Sequence, residues 1–151
     1  MNASRTCSQA DAGFTLVELL TGIAVLSLVV TIATPLLRGP PASARVAADA
    51  AHLAAAMRVT RAAAMAHNRE MAIVVTPTKR AYASPVIPTQ FIDPRTELAL
   101  TVGRKEKSAS EGRIRFFPNG RSTGGDVLLR LGSVEARVQV NWATGHVHVG
   151  P

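Results

Sequence analysis

The chain has 151 residues, which is enough for one domain and a separate anchor segment. Its formal net charge is +7, but a charge balance alone identifies no partner, so a solvated basic surface is favoured over contact with nucleic acid, acidic lipid or an acidic protein. The single cysteine, Cys7, lies ahead of the most apolar segment, so a chain cut between the two can form neither a disulfide nor a cysteine-based metal site.

The first predicted element is an apolar helix, Phe14–Leu37, whose 24 residues carry one charge, that of Glu18. At about 1.5 Å per residue this helix is about 36 Å long, enough to cross the hydrocarbon core of a bilayer. A secretory signal peptide is disfavoured, because the apolar run is too long and no small-x-small cleavage site follows it. A plain anchor explains the length but not the acid, since a carboxylate at the centre of a membrane helix costs about 2.5–3.5 kcal/mol and is usually paired.

The residues around the start of this helix resemble a known processing signal. A short polar leader, residues 1–13, ends in Gly13 and is followed by the letters FTLVE. This pattern resembles the type III signal of type IV pilins and of type II secretion pseudopilins. The resemblance implies that a prepilin peptidase cleaves between Gly13 and Phe14 and methylates the new amino terminus of Phe14. It also places Pro35 where many such proteins have a helix-kinking proline.

Under this resemblance Glu18 has a physical role in assembly. Cleavage leaves a cationic amine on Phe14 at a depth similar to that of Glu18. As subunits stack, the carboxylate of one helix can neutralise the amine of its neighbour. Such a pair offsets two desolvation penalties and sets the axial register between helices.

A helix breaker and a second helix come next. Pro40 and Pro41 cannot continue a helix, so a bend or hinge is expected at residues 38–43. Residues 42–68 have strong helix propensity and an apolar stripe at helical spacing, which favours a helix that packs its small residues on a sheet. The alternative is that cations of this segment bind a polyanion, namely Arg58, Arg61 and Arg69.

From residue 70 onwards the apolar period changes to that of strands. Residues 79–96 contain three prolines and little strand signal, so we expect a loop of unassigned form there. Residues 134–140 and 146–149 alternate as half-buried antiparallel strands should. The predicted strands are residues 71–75, 98–102, 113–117, 126–131, 134–140 and 146–149.

The order of elements predicts an α+β, pilin-like fold, in which an N-terminal transmembrane helix precedes an amphipathic helix packed on an antiparallel β-sheet or sandwich domain. Two C-terminal segments make the resemblance to one family more specific. RIRFFPNGRSTGG (residues 113–125), followed by VQVNWATGHV (residues 138–147), resembles the GspH family, the minor pseudopilins of type II secretion. The related FimT group, minor pilins of type IV pili, shares this domain.

No catalytic or cofactor motif is present: the sequence has no Walker-type loop, no paired histidines on a helix and no cysteine cluster. Ser122 and Thr123 have no neighbouring base, and GRSTGG (residues 120–125) is interpreted as a tight strand connection rather than an anion-binding nest. His146 and His148 face the same side of a strand, but two imidazoles without an acid or thiol make a weak metal site. We therefore predict no enzymatic activity, no cofactor and no metal.

DNA binding is the runner-up function. FimT-like proteins tend to end in a G-R-x-R pattern associated with DNA contact during uptake, whereas the matching letters here are GHVH, residues 145–148. Histidine is mostly neutral at the pH of the cell, so this strand loses permanent charge toward phosphate. A polyanion contact would have to use six other basic residues: Arg104, Lys105, Lys107, Arg113, Arg115 and Arg121.

The sequence thus predicts a minor pseudopilin of the GspH type, single-pass in a bacterial inner membrane with its C-terminal domain in the periplasm. The expected organisation is a cleaved leader (1–13), a transmembrane and assembly helix (14–37) and a periplasmic domain (38–151). The resemblance implies four kinds of partner: the prepilin peptidase, other pseudopilins (the major subunit and the minor tip subunits), the inner-membrane secretion platform and secreted substrates. DNA is a partner only under the alternative.

Overall fold

The structure, a computed structural model, describes residues 14–37, 39–108 and 110–150. The predicted leader, with Cys7 and Gly13, lies outside the described residues. The chain divides into two compact units, one that ends at Gly39 and one that begins at Pro40, and we describe each by itself.

The first unit is built on helix α1, Leu16–Leu37. Thr15 precedes the helix as its N-cap, and the Thr15 hydroxyl oxygen accepts a hydrogen bond from the backbone N–H of Glu18 at 3.2 Å. The helix runs across position 35 to its end at Leu37. The kink that we expect at Pro35 stays a prediction.

The composition of α1 suits a membrane. The window Leu16–Ala33 has a mean hydropathy of 2.3, and none of it is buried inside the structure. Three hydroxyls donate to carbonyls of the same helix: Thr21 to Glu18 at 2.9 Å, Ser27 to Ile23 at 2.8 Å and Thr31 to Ser27 at 2.7 Å. These hydroxyls are therefore satisfied without water. By length and composition, α1 can cross a bilayer.

The second unit begins with helix α2, Ala42–Ala66, which starts directly after Pro41. Its end lies two residues before the predicted end at residue 68, and Asn68 adopts a left-handed conformation with φ 47°, which stops the helix. Its buried face repeats at helical spacing and is rich in alanine, so strands can approach it closely. The buried residues are Val46, Ala50, Leu53, Ala54, Ala56, Met57, Thr60 and Ala64.

Eight strands follow α2 within the described residues: β1 (Met71–Thr76), β2 (Ala81–Ser84), β3 (Ile87–Phe91), β4 (Glu97–Thr101), β5 (Gly112–Phe116), β6 (Gly125–Leu131), β7 (Val134–Val140) and β8 (Val147–Gly150). They form two antiparallel sheets of four strands each, in the orders β3-β2-β1-β5 and β4-β6-β7-β8. The six predicted strands are all present, with ends that differ by one residue at most. The predicted α+β architecture, with two helices followed by antiparallel strands, is confirmed.

The prediction of a loop at residues 79–96 is wrong, because strands β2 and β3 lie there. β2 pairs antiparallel with β1, with Val75 opposite Tyr82, and β3 forms the edge of the sheet. Pro85 stands in the turn between the two strands, and Pro88 stands in the edge strand, where a missing N–H is tolerated. Tyr82 is buried in the core. Tertiary packing, rather than local strand propensity, therefore determines this hairpin.

The core lies between α2 and the inner faces of both sheets. The predicted alternation of β7 is confirmed, since Ala136, Val138 and Val140 are buried while the residues between them are exposed. The largest fully buried side chains are Phe116, Leu53, Met57, Ile73, Ile114 and Leu129. Burying each of them contributes about 1.5–3 kcal/mol. The second unit contains no cysteine, so packing rather than cross-linking stabilises it.

Candidate functional site

The first candidate site is the start of α1, where Glu18 stands exposed in the first turn. The positive end of the helix dipole favours an acid at this place. However, the Glu18 carboxylate forms no ion pair with any residue that the structure describes. Phe14, whose amine we expect to be released by cleavage, is 83% exposed just ahead of the helix. Glu18 is thus free to meet a cation from outside this unit.

A shallow groove runs along the α1 face that carries Glu18. Gly22 lies one turn after the acid, and a side chain added there would meet no atom within 4 Å. The missing side chain leaves space in which a neighbouring apolar helix can approach Glu18 closely. The groove is lined by Glu18, Thr21, Gly22, Val25, Leu26 and Val29.

In the second unit, Arg61 of α2 forms hydrogen bonds to two C-terminal loops, the β5–β6 connection and the β7–β8 connection. Both loops belong to the segments that resemble the GspH family. Its Nε donates to the carbonyl of Gly120 at 2.9 Å, and its Nη2 donates to the carbonyl of Thr144 at 3.0 Å. Arg58 donates in the same way to the carbonyl of Val147 at 3.1 Å. Both cations bind backbone inside their own domain, which leaves little support for the alternative that Arg58 and Arg61 hold a polyanion.

Gly145 packs directly against this contact. It has φ 65°, and a Cβ built on it would overlap the carbonyl oxygen of Gly120 and lie 2.8 Å from Nε of Arg61. The two loops can therefore meet only where the chain has no side chain. Sequence reasoning missed this contact, although the resemblance marked both loops, because nothing local connects residues 61, 120 and 145.

Replacing Arg61 by alanine is expected to lower the free energy of unfolding by about 2 kcal/mol, because two hydrogen bonds from a charged group are lost, one partly buried and one exposed. Urea denaturation of the purified chain in detergent measures this. Arg69→Ala is the matched control, because Arg69 is exposed and its side chain forms no hydrogen bond or ion pair with the residues that the structure describes; its effect should stay within about 0.5 kcal/mol. Equal effects of the two substitutions would show that the hydrogen bonds of Arg61 add nothing to the free energy of unfolding.

The connection between β5 and β6 uses its backbone donors internally. The N–H of Ser122 donates to the carbonyl of Trp142 at 3.1 Å, that of Thr123 to the carbonyl of Arg115 at 3.0 Å, and that of Gly124 to the hydroxyl of Ser122 at 3.0 Å. An anion nest needs such groups to be free. The interpretation of GRSTGG as a tight strand connection is confirmed.

Most of the six predicted basic residues lie on or beside β5. Arg113 and Arg115 alternate along that strand, and a short 3-10 helix, Arg104–Glu106, adjoins it. Nε of Arg115 donates to Glu106 at 3.0 Å, and the guanidinium also pairs with Glu70 at 3.3 Å. The hydrogen bond to Glu106 raises the pKa of Arg115. Glu106 therefore reduces the net positive charge at the centre of this basic cluster.

Arg121 lies in the β5–β6 connection, and its guanidinium sits 5.5 Å from the centroid of the Trp142 ring. Two of the six predicted cations, Arg115 and Arg121, are thus engaged inside the domain. Contact of the others with a polyanion stays a prediction.

His146 and His148 are both exposed and line one shallow depression with Gln139, Asn141 and Thr144, as two residues at a spacing of two should. Within residues 14–37, 39–108 and 110–150, no three histidine, cysteine or acidic side chains come close enough to hold a metal ion.

Comparisons with known proteins found matches to family models, to a relative and to a solved structure. A family model described as "Type II transport protein GspH" matches residues 49–144, and one described as "Prokaryotic N-terminal methylation motif" matches residues 8–34. The type II secretion system protein H of Xanthomonas campestris pv. campestris is 31% identical over 140 residues, which are 92% of this chain and 83% of that protein. The minor pseudopilin EpsH from the type 2 secretion system of Vibrio cholerae has a similar fold, with a TM-score of 0.58 at 9% identity over 70% of this chain and 95% of that chain.

Proposed function

The chain belongs to the GspH family of type II transport proteins, and we propose from that premise that it works as a minor pseudopilin of a type II secretion system. It is inserted in the bacterial inner membrane through α1, cut after Gly13 and assembled into a short periplasmic pseudopilus that helps to export folded proteins. One observation carries the proposal. The methylation motif (residues 8–34) and the GspH domain (residues 49–144) occur in one chain, on either side of the boundary between its two units.

Assembly depends on Glu18 in this proposal. Processing frees and methylates the amine of Phe14, which keeps its positive charge. In the assembled pseudopilus the Glu18 carboxylate of one subunit pairs with the Phe14 amine of the next, which removes the penalty of holding two unpaired charges in lipid. The unpaired state of Glu18 and the groove beside Gly22 support this arrangement.

The second unit supplies surfaces for partners. Its α2 and two sheets share one hydrophobic core, while α1 is apolar apart from Glu18 and a few hydroxyls and suits packing among other pilin helices. The partners of this unit are other pseudopilins, with a place just below or within the tip complex of minor subunits. The other proposed partners are the inner-membrane secretion platform and secreted substrates. The prepilin peptidase acts on the precursor.

Replacing Glu18 by glutamine is expected to reduce incorporation into the pseudopilus about tenfold or more, since a loss of about 1.4 kcal/mol per subunit contact already gives a factor of ten. The measurement is the amount of the protein in sheared filaments from cells that overproduce the major pseudopilin, relative to the amount in membranes. Ser27→Ala is the control, because the Ser27 hydroxyl bonds only within α1. Wild-type incorporation of Glu18→Gln would refute a register role.

A further inference from the structure

A groove of mixed polarity lies at one end of the sheet that contains β4, β6 and β7, beside the pair formed by Gly125 and Val140. We call it the Trp142 groove. Its main lining residues are Thr101, Gly103, Gly124, Asp126, Gln139 and Trp142.

One oxygen of the Asp126 carboxylate has no hydrogen-bond donor among the described residues. It stands on the outer face of β6, between Thr101 of β4 and Gln139 of β7. Its Oδ1 is buried and has no hydrogen-bond partner among the described residues, while Oδ2 accepts one long bond of 3.4 Å from the Gln139 amide. Buried carboxylate oxygens are normally satisfied, because their desolvation without a donor is costly. The Asp126 carboxylate thus accepts only one long side-chain hydrogen bond among the described residues.

Trp142 gives the groove an aromatic wall. It is 62% exposed, and Arg121 lies over its ring. Hydrogen bonds hold its loop in place: the Trp142 carbonyl accepts the N–H of Ser122, and the side-chain oxygen of Asn141 accepts the N–H groups of Ala143 and Thr144. Exposed tryptophans on rigid loops are favoured anchors in protein interfaces, because their large area is buried with little loss of entropy. Arg121 forms no ion pair with Asp126, so this arginine does not occupy the carboxylate.

We propose that the Trp142 groove binds a short segment of a partner protein that places an arginine on Asp126 and an apolar side chain against Trp142. The planar guanidinium carries several donors and forms stronger hydrogen bonds to a carboxylate than a neutral amide does. This inference deepens the proposed function, because it names a docking surface and the chemistry of a partner in the assembly. It requires neither cleavage nor membrane insertion of α1.

The chain has one tryptophan, so intrinsic fluorescence reports on this groove directly. The full chain in detergent is titrated with acetyl-Leu-Arg-Leu-amide and, separately, with the same peptide carrying citrulline, which has the shape of arginine without its charge. We expect a saturable change with the arginine peptide and at least about tenfold weaker binding of the citrulline peptide, the loss of about 1.4 kcal/mol. Equal responses to the two peptides, or no response to either, would overturn the proposal.

Two substitutions locate the binding site. Asp126→Asn removes the charge at constant shape and should weaken the arginine peptide about tenfold without lowering the stability of the free chain, because no ion pair is lost. Gly103→Leu should block the groove: Gly103 has φ −58° and ψ 150°, which any residue adopts, and a side chain there meets no atom within 4 Å.

Ser133→Leu is the matched control, since Ser133 is exposed in the turn at the opposite end of the β6–β7 hairpin. It should bind the arginine peptide like the wild type. Wild-type binding by Asp126→Asn or by Gly103→Leu would place the ligand elsewhere and overturn the proposal. Processing and export are measured in cells with separate readouts, so failure of the groove leaves the secretion role standing.

Discussion

Substitution of Gly145 by alanine is expected to lower the free energy of unfolding by about 3–5 kcal/mol, a large part of the stability of a domain of this size. Two effects add. The residue has φ 65°, which costs a residue with a side chain about 1–2 kcal/mol. The new Cβ would also overlap the carbonyl oxygen of Gly120, so the two C-terminal loops must separate and the hydrogen bonds of Arg61 must lengthen. Urea denaturation of the purified chain measures the change.

The chain offers a control that separates these two effects. Gly132 has φ 64°, nearly the same conformation, but an added Cβ there meets no atom within 4 Å. Gly132→Ala should therefore show the backbone effect alone, about 1–2 kcal/mol. The excess destabilisation of Gly145→Ala is the steric effect of the loop contact. If the two alanine variants unfold at the same urea concentration, the loops do not meet as the structure has them.

Substitution of Gly13 by valine is expected to abolish processing. A cleavage site must let its backbone come close to the peptidase, and a β-branched side chain at this place hinders that approach. The intact mass of the purified variant should include residues 1–13 and no methyl group on Phe14. Because an unprocessed chain has no free amine at Phe14, it should also fail to enter the pseudopilus.

Ala10→Val is the control for Gly13→Val, because it adds a branched side chain within the same leader but away from the cut. Its mature mass should equal that of the wild type. A methylated Phe14 amino terminus on Gly13→Val would contradict the assigned cleavage position.

Much of the fold was predictable because its signals are local. The stripe of α2 and the alternation of β7 follow from burial of one face at a fixed period, so they are visible in any window of the sequence. The hairpin of β2 and β3 is the exception. Its prolines hide the strand signal, and its stability comes from pairing with β1 and from the buried Tyr82, which no local window contains.

The residues of the candidate site also divide into those with a local signal in the sequence and those without one. The processing signal and Glu18 are consecutive letters, so the resemblance found them. The contact of Arg61 with Gly120 and Thr144 joins residues 59 and 83 positions apart, and only the folded chain brings them together. Asp126 looked like an ordinary strand residue, because its lack of a donor depends on what lies opposite it on β4 and β7.

The most direct test of a secretion role is the activity of exported enzymes in culture supernatants of a clean deletion strain. The strain is complemented with the wild-type chain and, separately, with Glu18→Ala, at matched protein levels. A minor pseudopilin whose assembly requires Glu18 predicts that export falls in the deletion strain and that only the wild-type chain restores it. Export that is unchanged by the deletion would contradict the secretion role and make pilus-dependent DNA uptake the leading hypothesis.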